Sequence, residues 1–133
     1  MISNVTVVVI DDELSVRRSL TRLLASAGYE VITFSSAEDF LALSSVPRPA
    51  CLVTDVRMPG MTGLELCQRL RKDKQHHALP ILFLTGHSSS FELVQAFEAG
   101  ADDFVSKPFR APELRARVLG LLRRVSGERR AAG

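Results

Sequence analysis

Asp11 and Asp12 follow a short apolar run, Asp55 follows a second, Thr85 closes a third and Lys107 stands just past a fourth. Gathered in one place, three carboxylates repel one another, and some are forced to hold protons unless a cation neutralises them. Oxygen-only ligands of this kind suit Mg²⁺. A fixed ammonium and a hydroxyl beside a metal-bound carboxylate complete what phosphoryl transfer requires: an oxygen nucleophile, a divalent clamp, a counter-charge and a donor for the remaining phosphoryl oxygen. Asp55 is the natural nucleophile of the set.

Such a site exists only if the chain brings those residues together, so the elements between them matter. Val5 to Ile10 is a β-branched run that reads as a strand. From Leu14 the period becomes helical, with Val16, Leu20, Leu23, Leu24 and Ala27 on one stripe and Gly28 as the stop. Glu30 to Phe34 is a second strand. Ser36, with Glu38 and Asp39 behind it, opens a short helix carrying Phe40, Leu41 and Leu43, and Pro47 and Pro49 end that unit. Ala50 to Thr54 is a third strand and Val56 to Thr62 a Pro/Gly loop. Thr62-Gly63-Leu64-Glu65 is a capping box that opens a helix to about Arg71. Ile81 to Thr85 is the fourth strand, Phe91 to Ala99 a helix stopped by Gly100, and Asp103 to Ser106 the fifth strand. Pro112 suits the first turn of a last helix, along which Leu114, Val118, Leu121, Leu122 and Val125 recur. The sequence divides into one domain over 1–125 and an expected flexible tail over 126–133.

Strands alternating with helices at short spacing imply an α/β fold, a doubly wound five-stranded parallel sheet covered on both faces; the near-continuous apolar first, third and fourth strands agree. In such sheets ligands bind beyond the carboxyl ends of the strands, near the point where strand order reverses. Asp11, Asp12, Asp55, Thr85 and Lys107 all stand at those ends.

Bulk properties narrow the function by exclusion. The chain has 133 residues, 46% of them apolar and 24% charged, enough for one domain with a real core rather than a disordered segment. A net charge of +2 is too small for a dedicated nucleic-acid binder, and the C-terminal arginines read as a solvated face. No direct nucleic-acid binding and no membrane contact are expected, since no apolar run approaches the ~20 residues of a membrane span and no signal peptide is evident. The expected location is the cytoplasm. Cys51 and Cys67 form no metal or disulfide pattern and read as small buried side chains; His76 and His77 read as solvated loop residues.

The four strand-end segments, DDE, DVRMPGMTGLEL, LTGH and AGADDFVSKPF, together resemble the bacterial two-component response-regulator receiver domain, over roughly Val5 to Val125. The resemblance implies a flavodoxin-like (βα)5 receiver fold with strand order 2-1-3-4-5. It implies that Asp55 accepts phosphate from a sensor histidine kinase or phosphotransfer protein, that Asp12, Asp55 and the Arg57 backbone carbonyl bind Mg²⁺, and that Asp11 helps through water. Thr85 matches the family's switch hydroxyl, Phe104 its switch aromatic and Lys107 its phosphate-contacting lysine. Arg57 and His87, two positions after Asp55 and Thr85, are placed to tune the lifetime of the acyl phosphate, and the Lys107–Pro108 bond is expected to be cis. The protein is then a signalling domain, not an enzyme acting on other substrates, and its output is a changed surface that controls a downstream protein or an output domain. A haloacid-dehalogenase-like phosphohydrolase is disfavoured because Arg57 stands where that family places a second Asp, and a dinucleotide site because no GxGxxG follows the first strand.

On dimerisation the pattern is mixed. Asp103, Glu113, Arg117 and Arg124 match charges through which winged-helix-type receivers pair, whereas Leu93 and Ala99 replace a base and an acid of that set. A monomer, or a weak phosphorylation-dependent dimer, is expected.

Overall fold

The computed structural model describes residues 5–42, 51–86 and 90–132, with side chains described throughout those stretches except at Ser90 and from Val125 onward. Five strands, β1 (Thr6–Ile10), β2 (Glu30–Phe34), β3 (Cys51–Asp55), β4 (Ile81–Thr85) and β5 (Asp103–Ser106), alternate with five helices. The helices are α1 (Leu14–Ser26), α2 (Ala37–Ala42), α3 (Gly63–Arg71), α4 (Ser90–Glu98) and α5 (Ala111–Ala132). Every pairing is parallel and the sheet order is β2-β1-β3-β4-β5, as the resemblance implies.

That order fixes which helix lies on which face. The chain moves one way from β1 to β2 and the other way from β2 through β5, so right-handed crossovers put α1 on one face and α2, α3 and α4 on the other. The two cores follow. Val7, Val9, Cys51, Val53, Leu82, Leu84 and Val105 pack against Leu20 and Leu24 of α1 and Leu114, Val118 and Leu121 of α5. Val8, Ile10, Leu52, Ile81 and Phe83 pack against Phe40 of α2, Leu66, Cys67 and Leu70 of α3, and Ala96 and Ala99 of α4. β1, β3 and β4 are buried at every position, which is why their sequences run apolar without alternation. Phe83 is fully buried, and removing such a side chain from water contributes roughly 1.5–3 kcal/mol.

The local signals act as read. The Thr62 hydroxyl accepts from Glu65 N and the Glu65 carboxylate from Thr62 N, a complete capping box. The Ser36 hydroxyl accepts from Asp39 N at 3.1 Å at the start of α2. Gly28 and Gly100 take φ of 97° and 108°, the left-handed conformation that stops α1 and α4. α5 continues to Ala132, past Val125 where its apolar repeat ends. Leu43, Pro47 and Pro49 lie outside the described residues.

One polar knot ties the sheet to α3 and α4 at the end of α4 away from Thr85. The Arg71 guanidinium donates to Gly100 O at 2.9 and 2.6 Å, to Leu79 O at 2.6 Å and to the Asp102 carboxylate at 2.9 Å, while Asp102 also accepts from Ile81 N at 2.8 Å. Beside it the Cys67 thiol donates to Ala99 O at 3.2 Å.

Candidate functional site at the carboxyl edge of the sheet

β1 and β3 are neighbours at the point where strand order reverses; β3 ends on Asp55, and Asp11 follows directly on the last residue of β1. The Asp11 backbone is held in line by its amide bonding Phe34 O at 3.2 Å and by Arg17 Nη1 donating to its carbonyl at 2.8 Å. Its carboxylate, wholly buried, does two things. Oδ1 accepts from Glu13 N at 2.9 Å, which steadies the turn into α1, and Oδ2 lies 2.9 Å from Lys107 Nζ. Asp55 is the last residue of β3; its Oδ1 accepts from Arg57 N at 3.3 Å and its Oδ2 from Lys107 Nζ at 3.0 Å. Asp12 is exposed, and one carboxylate oxygen from each of Asp11, Asp12 and Asp55 lies within 4.8 Å of the others.

Lys107 reaches this cluster from the end of β5, immediately before a cis bond to Pro108. Burial disfavours its ammonium, but the hydrogen bond to Asp55 and the charges of Asp55 and Asp11 outweigh that and hold its pKa above the ordinary lysine value. Asp55 is shifted the other way from a stabilised carboxylate. Burial pushes its pKa up, Lys107 pulls it down through a hydrogen bond and its charge, the Asp11 carboxylate pushes up again, and the net result is raised. One cation therefore does not fully satisfy two buried acids.

A divalent cation fits the remaining demand on a direct observation. Asp11 Oδ2, although within ion-pair distance of Lys107, accepts no hydrogen bond of acceptable geometry and is buried. A buried carboxylate oxygen left so is costly, and the donor set is all oxygen, the chemistry of Mg²⁺ rather than of a softer ion.

Thr85, Phe104 and Arg57 surround the cluster. β3 and β4 are in register with Asp55 opposite Leu84, so Thr85 stands one residue beyond. Its buried hydroxyl donates to Glu92 Oε1 at 2.6 Å. Arg57 sends Nε to Glu92 Oε2 at 3.0 Å and Nη2 to the same oxygen at 2.8 Å, so its guanidinium lies on α4. Phe104 is half-buried, packed against the core on the α2–α4 face, with its ring edge-to-face with Phe97 at 5.9 Å. His87 lies outside the described residues.

Two carboxylates in this neighbourhood carry no role in the sequence reading. Glu13, the last residue of the DDE segment, approaches Lys107 Nζ at 3.5 Å, and its place in an acidic run is the signal that could have shown it. Glu92 is nearly buried, and its signal is its helical phase: Glu92, Ala96 and Ala99 share the inward stripe of α4, so the pattern puts an acid where an apolar residue belongs.

Parallel sheet order and a carboxyl-edge cluster of acids with a lysine define a receiver-type architecture, and the comparisons with known proteins agree on the family. The family model of the response regulator receiver domain matches residues 7–119. The response regulator MprA of Mycobacterium bovis is 43% identical over 125 residues, covering 94% of this chain and 54% of its own. Nodulation protein W of Bradyrhizobium diazoefficiens is 45% identical over 108 residues, covering 81% of this chain and 47% of its own. Among solved structures, the chemotaxis response regulator CheY4 of Vibrio cholerae superposes with a TM-score of 0.83 at 31% identity, over 90% of this chain and 99% of that one. The chain belongs to the response regulator receiver domain family. It spans about half the length of the curated relatives it matches. Among the described residues no helix is long and apolar enough to cross a membrane.

Proposed function

We propose that this receiver takes a phosphoryl group on Asp55 from the phosphohistidine of a sensor kinase or phosphotransfer protein, and signals by the change in surface that follows. One Asp55 carboxylate oxygen forms the new P–O bond as the P–N bond to the donor histidine breaks, and the electron pair of that bond stays on the imidazole. Lys107 supports the reading most directly, because its ammonium already sits 3.0 Å from Asp55 and 2.9 Å from Asp11, where it can follow the charge as it moves onto a phosphoryl oxygen. Asp11, Asp12, Asp55 and the Arg57 carbonyl would hold Mg²⁺, which when bound neutralises the acids and the incoming phosphoryl oxygens. Thr85 would donate to a phosphoryl oxygen, Phe104 would turn in response, and Arg57 and His87 would set how long the acyl phosphate lasts.

The reading makes the chain a switch in the cytoplasm that catalyses only its own phosphorylation and dephosphorylation. Its output passes to a downstream protein or to an output domain, in keeping with transcriptional regulators among the relatives, such as PhoP of Bacillus subtilis. Incubation with acetyl phosphate and Mg²⁺ tests it. A hydroxylamine-sensitive adduct of one phosphoryl group is expected on the wild type and none on Asp55→Asn; undiminished labelling of that variant would move the acceptor elsewhere.

A further inference from the structure

Glu92 holds two of the groups beside Asp55 that could donate to a phosphoryl group there. One oxygen takes the Thr85 hydroxyl at 2.6 Å, and the other takes two Arg57 nitrogens at 3.0 and 2.8 Å. Its side chain is 9% exposed against 68% for that of Arg57, so the acid is the buried partner and the one that depends on its donors. Thr85 ends the strand beside Asp55, and the Arg57 amide is bonded to the Asp55 carboxylate, so both captured groups flank the proposed acceptor.

We propose that Glu92 is an internal stand-in for the phosphoryl group: an anion on α4 that occupies the Thr85 hydroxyl and the Arg57 guanidinium until phosphorylation of Asp55 takes them away. This rests on Asp55 and Thr85 acting as proposed above. A hydroxyl has one proton to give and cannot serve both anions. When Thr85 turns to the phosphoryl oxygens, Glu92 loses a bond of 2.6 Å, and when Arg57 follows, it loses an ion pair in a buried place. The stable outcome is for the carboxylate to leave toward water, taking the first turn of α4 with it. Phe91 and Val94 on the neighbouring surface, 72% and 53% exposed, move as a consequence. Glu92 acts through Thr85 and Arg57 and touches no reacting atom, which makes it a positioning residue that sets how readily the site accepts its ligand.

The competition has a direct measure in the half-saturating concentration of beryllofluoride, with Mg²⁺ present, by calorimetry on the full chain. Glu92→Ala is expected to bind about ten-fold more tightly than wild type, the scale of one charge-assisted hydrogen bond no longer to be broken. Glu92→Gln, near in shape but neutral, is expected to fall between them, and it carries the test if the alanine variant does not fold. In a Thr85→Ala, Arg57→Ala background the Glu92 substitutions are expected to change nothing, an outcome that a general loosening of α4 would not give. Unchanged or weaker binding by folded Glu92 variants, or the same gain in the background lacking both donors, would overturn the proposal. Binding by Asp55→Asn equal to wild type would instead overturn the assignment of Asp55 on which it rests.

Discussion

Gly63 is the first residue of α3, its amide bonded to Val56 O at 2.9 Å, and it passes so close beneath the end of β3 that a Cβ there would overlap the carbonyl oxygen of Asp55 and come within 3.2 Å of the Phe83 ring. Helix propensity alone says that Gly63→Ala should gain about 1 kcal/mol. The obstacle, however, is the backbone of a buried strand end rather than the tip of a flexible side chain. Overpacking of that kind costs about 1–3 kcal/mol and at times more, and the upper end applies here, leaving a net loss of about 2 kcal/mol. For a chain of this size the melting temperature should fall by about 8 °C, with the urea midpoint lowered and the slope unchanged. Gly120 in α5 is the matched control, because nothing lies within 4 Å of a Cβ placed there. Gly120→Ala should be stabilised by about 0.5–1 kcal/mol. The same substitution in two helices thus changes sign, and it also separates stability from chemistry, since only the Gly63 change displaces Asp55 and slows phosphorylation by acetyl phosphate. A Gly63→Ala protein as stable as wild type would refute the argument from space.

Burial and the neighbouring Asp11 carboxylate together raise the Asp55 pKa more than Lys107 and the Arg57 amide lower it, so the folded protein binds that proton more tightly than the unfolded chain and loses stability as pH rises through the ordinary carboxylate range. Asp55→Asn should therefore melt higher than wild type at pH 7 without divalent cations, with the gap closing in acid; a lower melting temperature at pH 7 would contradict the sign. If Arg57 crowds water from the acyl phosphate, Arg57→Asn should hasten dephosphorylation while leaving phosphorylation intact, and unchanged decay in both this variant and His87→Ala would dismiss the role of these two positions. Burial pushes the thiol of Cys51 up to about 12 and that of Cys67 up to about 11, so iodoacetamide near pH 8 should label neither until the chain unfolds; labelling of native protein at the rate of a free thiol would contradict this. Arg124 pairs with Asp102 at 2.6 Å and Asp103 with Arg117 at 3.0 Å within one chain, so the cross-copy pair Asp103–Arg124 must displace both, for a gain of about 0–1 kcal/mol per exposed pair. Sedimentation of beryllofluoride-loaded protein should show a monomer or weak dimer, and a tight dimer abolished by Arg124→Glu would show that the pair has been undervalued.

The strands and their site residues were legible because each is marked by covalent chemistry in the sequence itself. A run such as VTVVVI can be buried on both faces only in a sheet covered twice, and the acid after it then falls at a fixed edge. Strand order was not legible from the residues and came from the family resemblance, since pairing depends on contacts between runs that look alike. Boundaries moved by a residue: Asp55 ends β3 rather than following it, and α4 begins at Ser90 rather than Phe91. The direction of the Arg57 side chain was hidden for a different reason. Position relative to Asp55 says only that it starts near the site; its end is fixed by a carboxylate 35 residues away in sequence. Glu13 and Glu92 were missed because an acid just before a helix or in its first turn has a sufficient local explanation, and only the phase of α4 argues that Glu92 faces inward.

The Arg71 knot gives α4 unequal ends. At its close, the Gly100 carbonyl is clamped by two guanidinium nitrogens and the Ala99 carbonyl by a buried thiol, contacts in which the site has no part. At its start, in the side chains described, it is tethered through the Glu92 carboxylate, whose partners include two groups beside Asp55, Thr85 and Arg57. A rigid rod fixed at one end and released at the other pivots. Nine residues make a lever of roughly 13 Å, so a tilt of about 10° would sweep Phe91 through about 2 Å while Ala99 stayed in place. On the proposal above, the amplitude of the response would be graded along the helix, and a partner would gain most by gripping α4 near Phe91 and Val94, where the stroke would be longest.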